Sequence, residues 1–376
     1  MGLDKELEGT LVVSLEQAVA APYCGLLLAD AGARVIKIER PEGDFARAYD
    51  AGANGKSTIF AWLNRGKESV CLDLKHPQDK AVLRAALQRA DVFLSNLAPG
   101  AVERLGFHGP DLRRDNPGLV TCQINGYGDS GPAAGRKAYD FLVQAESGVC
   151  AVTGTPDSPA RVGVPLTDLS TGLTAFSAIL RALLQRARTG QGCDLRISMF
   201  DVMADWMNMP LMGHRYMGGA PARAGLKHTF IAPYGAFACG DGQHVLISVQ
   251  NDREFTALCR DVLNRPELPQ DAKFSTNPAR YKNRCELDSI VTACFGEGSS
   301  DEIVDRLSEA KIANARLNDV ADLSEHPFLR NVEARISGQS VSLAALPVAT
   351  TSPVCEDVPD LDQHGAALRR EFRHKG

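Results

Sequence analysis

Short apolar stretches rich in β-branched residues recur through the first half of this chain, with helical stretches between them. This alternation constrains the fold more than any other feature. Thr10–Ser14 reads as a strand, Ala20–Ala31 as a helix ending near Gly32, and Arg34–Ile38 as a second strand. Together they form the βαβ unit expected of parallel pairing. Ser69–Leu72, Asp91–Ser95 and Leu119–Ile124 read as further buried strands, and Pro77–Arg89 as a helix with proline in its first turn. The pattern predicts an α/β domain built on a mostly parallel sheet. From Tyr139 the pattern changes to apolar helices over Tyr139–Val149 and Leu169–Arg188, a strand-like Asp194–Ile197, and a methionine-rich helix over Phe200–Tyr216. Gly218–Lys227 has the composition of a linker or mobile loop. Beyond it, Tyr234–Phe237 and His244–Val249 flank the turn Cys239–Gly242 as a hairpin. Helices over Asp252–Leu263, Arg284–Phe295 and Ser300–Ala310 complete a smaller α+β unit, and a proline-punctuated tail from Ile336 ends in a basic helix, Leu368–His374.

A chain of 376 residues is long enough for about two domains. Its net charge of -5 disfavours a dedicated nucleic-acid binder, whose affinity rests on neutralising phosphates. The longest apolar runs, such as Ala18–Ala29, are too short and too interrupted to span a bilayer. The acidic first residues do not fit a secretory signal. The 10 cysteines form no CxxC pair, so they are expected to be free thiols in a reducing cytoplasm rather than disulfides or zinc ligands.

The chemistry-bearing motifs are few. Ser14–Pro22 stands where a dinucleotide-binding chain has GxGxxG, and no Walker lysine loop, HExxH or GxSxG occurs. Asp168 opens the second long apolar helix. There it can serve as a helix cap, or as a nucleophilic carboxylate oriented by helix-end amides; the pattern leaves both open. Lys37, Arg40, Lys75, Arg104 and Lys137 fall at or just beyond element ends, the edge along which an open parallel sheet binds ligands, where cations suit phosphate.

Several ordered motifs resemble the class III CoA-transferase family, which includes formyl-CoA transferase and carnitine CoA-transferase. They are Ala29–Asp44, Asn64–Lys75, Asp91–Gly100, Gly126–Pro132, Tyr139-Asp140, Thr167–Gly172, Asn277–Arg280 and His326-Pro327. The resemblance implies that Asp168 is the catalytic nucleophile, forming aspartyl anhydride and aspartyl-CoA intermediates. It implies a CoA site on Gln17, Ala18, Val19, Arg40, Leu72, Lys75, Asn96, Leu97, Arg104 and Lys137. Tyr139 and Asp140 fall near the reacting carbonyl, and Gly218 and Gly219 near the family's glycine loop. No metal and no permanently bound cofactor is implied; coenzyme A enters as substrate.

The implied fold is a large Rossmann-like α/β domain whose parallel sheet draws on both chain ends, with a smaller α+β middle domain, in an interlocked homodimer. The corresponding division is 1–200 for the large domain, 201–225 as linker helix and loop, 226–330 for the small domain and 331–376 returning to the large one. Gly225–Tyr234, Asn251–Phe255 and Lys311–Asn318 resemble the branch acting on C4–C5 dicarboxyl-CoA esters. That branch implies either C1–C4 transfer within mesaconyl-CoA or succinyl-CoA with mesaconate, itaconate, malate, citramalate or glutarate as acceptor. Arg47 and His228 are the candidate partners for a second carboxylate. The racemase branch of the superfamily is the alternative, but Asn125–Asp129 lacks the histidine it would need. A non-catalytic CoA-binding protein on the same fold is a further alternative.

Overall fold

The computed structural model describes residue 3, residues 5–348 and residues 356–373. Cys355, and His374 at the end of the expected basic helix, lie outside the described residues. The described chain divides into two compact units. One comprises the residues up to Val149, Arg161–Met209 and those from Arg330 onward; the other comprises Cys150–Ala160 and Pro210–Leu329.

The first unit is built on a six-stranded sheet of Leu11–Leu15, Arg34–Glu39, Lys67–Cys71, Val92–Ser95, Val120–Asn125 and Asp194–Ser198. All pairings are parallel, and in space the strands run third, second, first, fourth, fifth, sixth. This is the doubly wound order, which reverses between the first and fourth strands and opens a crevice beyond their carboxyl ends. Alternate residues feed two cores. Val12, Val35, Val92, Leu94 and Cys122 pack against helices Ala20–Asp30, Leu166–Thr189 and Met199–Trp206. Val13, Ile36, Val70 and Phe93 face helix Pro77–Leu87, together with Leu368 and Phe372.

The C-terminal return differs from the sequence expectation. It contributes no strand to the parallel sheet among the described residues. Asn331–Ile336 pairs instead with Gln339–Ala344 and Glu356–Val358 in a separate three-stranded sheet. The tail reaches the parallel sheet through side chains. Asp362 Oδ1 accepts from the Cys71 amide (2.7 Å) and His364 Nδ1 from the Ser69 amide (3.1 Å). These satisfy donors on the sheet's edge strand, which would otherwise offer a template for unwanted pairing.

The second unit has an antiparallel sheet of Tyr234–Ala238, His244–Ser248 and Ala313–Arg316, covered by helices that include Arg284–Phe295 and Ser300–Glu309. The stretch Gly218–Lys227 is tied down rather than free. The Arg223 guanidinium donates to the carbonyls of Ala151, Thr155 and Pro156, which draws Cys150–Ala160 into this unit. In the Asn277–Arg280 motif, Arg280 is a structural centre, 2% exposed. It donates to the carbonyls of Ala232 and Phe274 (both 3.0 Å) and to Asp252 (2.7 Å), and it lies over the Phe255 ring. Replacing Arg280 with methionine strands two carbonyls and costs about 2–3 kcal/mol of stability, to be read from denaturant unfolding.

Candidate active site

Asp168 is the third residue of helix Leu166–Thr189 and makes no capping bond. The cap comes from 28 residues earlier in the chain. Asp140 Oδ1 accepts from the amides of Thr167 (2.7 Å) and Asp168 (3.3 Å). Both alternatives that the sequence left open for the helix end therefore change. Asp168 is not the cap, and the amides expected to hold its charge are taken by Asp140. Asp140 is itself fixed by Gln144, whose Nε2 donates to Oδ2 (2.7 Å) and whose Oε1 accepts from the Val162 amide (3.0 Å). Gln144 is fully buried.

The consequence for Asp168 is electrostatic. Burial in the site, and then the negative charge of Asp140, push its carboxyl up to about 7. The glycine of the Thr167–Gly172 motif has a packing role. A Cβ on Gly172 would lie 2.5 Å from the Ala20 carbonyl oxygen, so only glycine lets this helix approach the start of helix Ala20–Asp30.

At the carboxyl ends of the first four strands a cavity of about 240 Å³ is lined by Leu15–Gln17, Ile38–Pro41, Gly43, Asp44, Leu72–Lys75, Leu97 and Leu105. Gln17, Arg40, Leu72, Lys75 and Leu97 are thus brought to one apolar pocket with exposed cations at Arg40 and Lys75. Val19 stands at the start of helix Ala20–Asp30. Arg104 is exposed, beside lining residue Leu105, with Nη1 on the Pro99 carbonyl. Lys137 is exposed in the loop before Tyr139, itself 60% exposed. Asn96 clips the main chain of Gln17 rather than lining this cavity.

Other candidates are committed elsewhere or lie in the second unit. Arg47 forms a fork on Glu39 (2.8 and 2.7 Å), donates to the Pro359 carbonyl and lies over the Phe60 ring. Its guanidinium is engaged within the fold. His228 Nδ1 accepts from the amides of Phe230 and Ile231, and its ring stacks on Tyr234. Burial, then Arg284, lower its pKa. Gly218 and Gly219 both have positive φ, with open space where a Cβ would be. Sequence reasoning missed Tyr49. Its phenol is pushed up by burial and then by the carboxylates of Asp44 and Asp168, which places it in the field of the proposed nucleophile. An aromatic residue two positions beyond Arg47 was the available signal.

The family model for CoA-transferase family III matches residues 7–364. The chain belongs to CoA-transferase family III. This transferase is 37% identical to acetyl-CoA:oxalate CoA-transferase of Acetobacter aceti, over 97% of this chain and 95% of the relative. It is 33% identical to mouse succinyl-CoA:glutarate CoA-transferase, over 98% and 86%. It is 31% identical to succinyl-CoA:mesaconate CoA-transferase of Haloarcula hispanica, over 97% and 96%. Among solved structures, a CaiB/BaiF family protein from Brucella suis superposes with a TM-score of 0.84 at 32% identity, covering 98% of this chain and 99% of that one. In this CoA-transferase the turn Asn125–Asp129, where a racemase would need its histidine, closes on itself instead. Asn125 donates to Asp129 and accepts from the Gly128 amide. No helix among the described residues is long and apolar enough to cross a membrane.

Proposed function

We propose that this enzyme moves CoA from an acyl-CoA thioester to a small dicarboxylate, with Asp168 as covalent relay. The Asp168 carboxylate attacks the thioester carbonyl, the C–S bond breaks and CoA thiolate departs, leaving a mixed anhydride. The thiolate then attacks the aspartyl carbonyl, which releases the donor carboxylate and leaves an aspartyl-CoA thioester. The acceptor carboxylate displaces the thiolate to form a second anhydride. Attack of the thiolate on the acceptor's acyl carbon gives the new thioester and restores Asp168. The observation that carries this reading is a desolvated, otherwise uncommitted carboxylate at the start of a helix that packs against the helix following the Gln17–Val19 turn.

The CoA site is assigned to the cavity at the strand ends. Arg40 and Lys75, with Arg104 and Lys137, serve the CoA phosphates, and the Gln17–Val19 main chain approaches the pantetheine. Removing any one of these charges is expected to raise KM for acyl-CoA by about tenfold, with KM for the acceptor acid unmoved. Equal effects on both constants would assign these residues to the fold. The dicarboxylate class is supported by the names of the relatives, which act on oxalate, glutarate and mesaconate.

The test uses labelled succinyl-CoA against a panel of acids, read by mass spectrometry. Transfer to glutarate, mesaconate or oxalate is expected to exceed transfer to butyrate or formate by about two orders of magnitude in kcat/KM, roughly 2.7 kcal/mol. Equal rates would remove the dicarboxylate assignment and leave the transferase intact. Phe141, Leu142, Leu173 and Leu184 leave apolar side chains exposed on the first unit, which supports a homodimer. An interlocked pair would not dissociate on dilution in a sedimentation experiment.

A further inference from the structure

The turn that leaves the first strand carries a backbone anomaly. Ala18 has φ +62°, a left-handed conformation that an L-residue with a Cβ rarely adopts. Glycine would adopt it freely, so here the surroundings must impose it. Four main-chain bonds do so, and they come from the second strand, the loop that follows it and the residue that follows the fourth strand. Asn96 grips Gln17 at both ends: its Oδ1 accepts from the amide (2.9 Å) and its Nδ2 donates to the carbonyl (2.8 Å). Asp44 Oδ1 accepts from the Ala18 amide (3.2 Å). Lys37 Nζ donates to the Glu16 carbonyl (3.2 Å) and to Asp44 Oδ2 (2.8 Å).

The side chains of Lys37, Asp44 and Glu16 are fully buried, and Lys37 lies 3.5 Å from Glu16 Oε1. Asp44 is held in turn by Glu39, which accepts from its amide (3.0 Å). A buried ion pair is an expensive way to stabilise a fold, because desolvation offsets most of its attraction. It is well suited to fixing one conformation. Here that conformation is the wall of the cavity, since Glu16, Gln17 and Asp44 all line it.

We propose that Asp44, Lys37 and Asn96 are positioning residues for the CoA site, holding the strained Glu16–Ala18 main chain in the shape that receives the ligand. This rests on the assignment of CoA to that cavity. Backbone strain that is over-determined by its surroundings is characteristic of ligand clamps. Every anchor meets main-chain atoms, so the shape of the turn depends on Asp44, Lys37 and Asn96 rather than on the side chains at 17 and 18.

The experiment is calorimetric titration of the full-length enzyme with CoA, alongside KM measurements. Asp44→Ala and Asn96→Ala are each expected to weaken CoA binding about tenfold, and to raise KM for acyl-CoA in step while leaving KM for the acceptor acid in place. Adding Ala18→Gly to either variant is expected to recover about threefold or more, because glycine adopts the left-handed turn without the steric cost that the anchors must otherwise overcome. General damage to the fold would not be repaired by a glycine at that one position. If Asp44→Ala does not fold, the Asn96→Ala and Asn96→Ala/Ala18→Gly pair carries the same test. Folded anchor variants that bind CoA like the parent, or a glycine that recovers nothing, would overturn the proposal. Arg40→Ala and Lys75→Ala are titrated in parallel. If CoA affinity ignores both, the cavity assignment fails and the proposal with it. If affinity responds to them and ignores the anchors, only the positioning role is lost.

Discussion

Replacing Asp168 with asparagine is expected to abolish CoA transfer while making the protein more stable at alkaline pH. The loss in kcat should reach about four orders of magnitude or more, because no covalent intermediate can form. Hydroxylamine or borohydride added after acyl-CoA should label an Asp168 peptide in the parent and no peptide in the variant. A label at another residue would move the nucleophile. The stability gain follows from the raised carboxyl. Asp168 binds its proton more tightly in the folded protein, where its value is about 7 against 3.8 for the free side chain. Its contribution to stability is therefore fully present below about pH 4 and is lost as pH rises through 7. Asparagine has no such dependence. Parent and variant should melt together near pH 4, and by pH 8 the variant should lead by about 2 kcal/mol, a figure reduced for partial solvent access. A melting difference that does not change with pH would refute the electrostatic reading of the site.

In the Asp140→Asn variant the acid limb of the pH–rate profile should move. The nucleophile must be ionised to attack, so the parent loses kcat/KM for acyl-CoA as pH falls below about 7. Asparagine keeps an oxygen to accept the Thr167 and Asp168 amides but removes the negative charge beside Asp168. Burial, the larger cause of the shift, remains. The limb should therefore move down by about one unit, not all the way to an ordinary carboxylate. At pH 6 the variant's rate relative to its own plateau should then exceed the parent's by about fivefold. An unmoved limb would mean that a group other than Asp168 controls it. The height of the plateau reports separately on positioning, because Gln144 loses its carboxylate partner on Asp140.

Sequence alone reached the strand–helix alternation of the first unit because it is written locally. Each strand is a run of 4–6 residues that carries at least one β-branched residue, and helix Ala20–Asp30 ends just before the positive-φ Gly32. The ordered motifs around Asp168 likewise pointed to CoA transfer, and the family match agrees. Boundaries set by distant partners were not legible. The long helix read over Leu169–Arg188 left Asp168 open as its cap or as a nucleophile, yet the helix begins at Leu166 and its cap is Asp140, 28 residues from the Asp168 amide along the chain. Gly218–Lys227 has the composition of a free loop, but one arginine, Arg223, ties it to three carbonyls of the 150s.

The same division holds among the charges. Lys37 and Arg40 sit three residues apart at the end of one strand and read alike. Alternation along that strand and the packing around it put Lys37 in a fully buried ion pair beneath the Glu16–Ala18 turn and left Arg40 exposed at the cavity. Arg47 looked free for a substrate carboxylate until the fold placed Glu39 against its fork. The order of residues determined which segments become strands and helices, because periodicity and turn chemistry act over a few residues. Which carboxylate is raised, which cation is buried and which backbone is strained depended on groups brought together from far apart in the chain. Desolvation and Coulomb forces act through space, so only the tertiary structure could decide them.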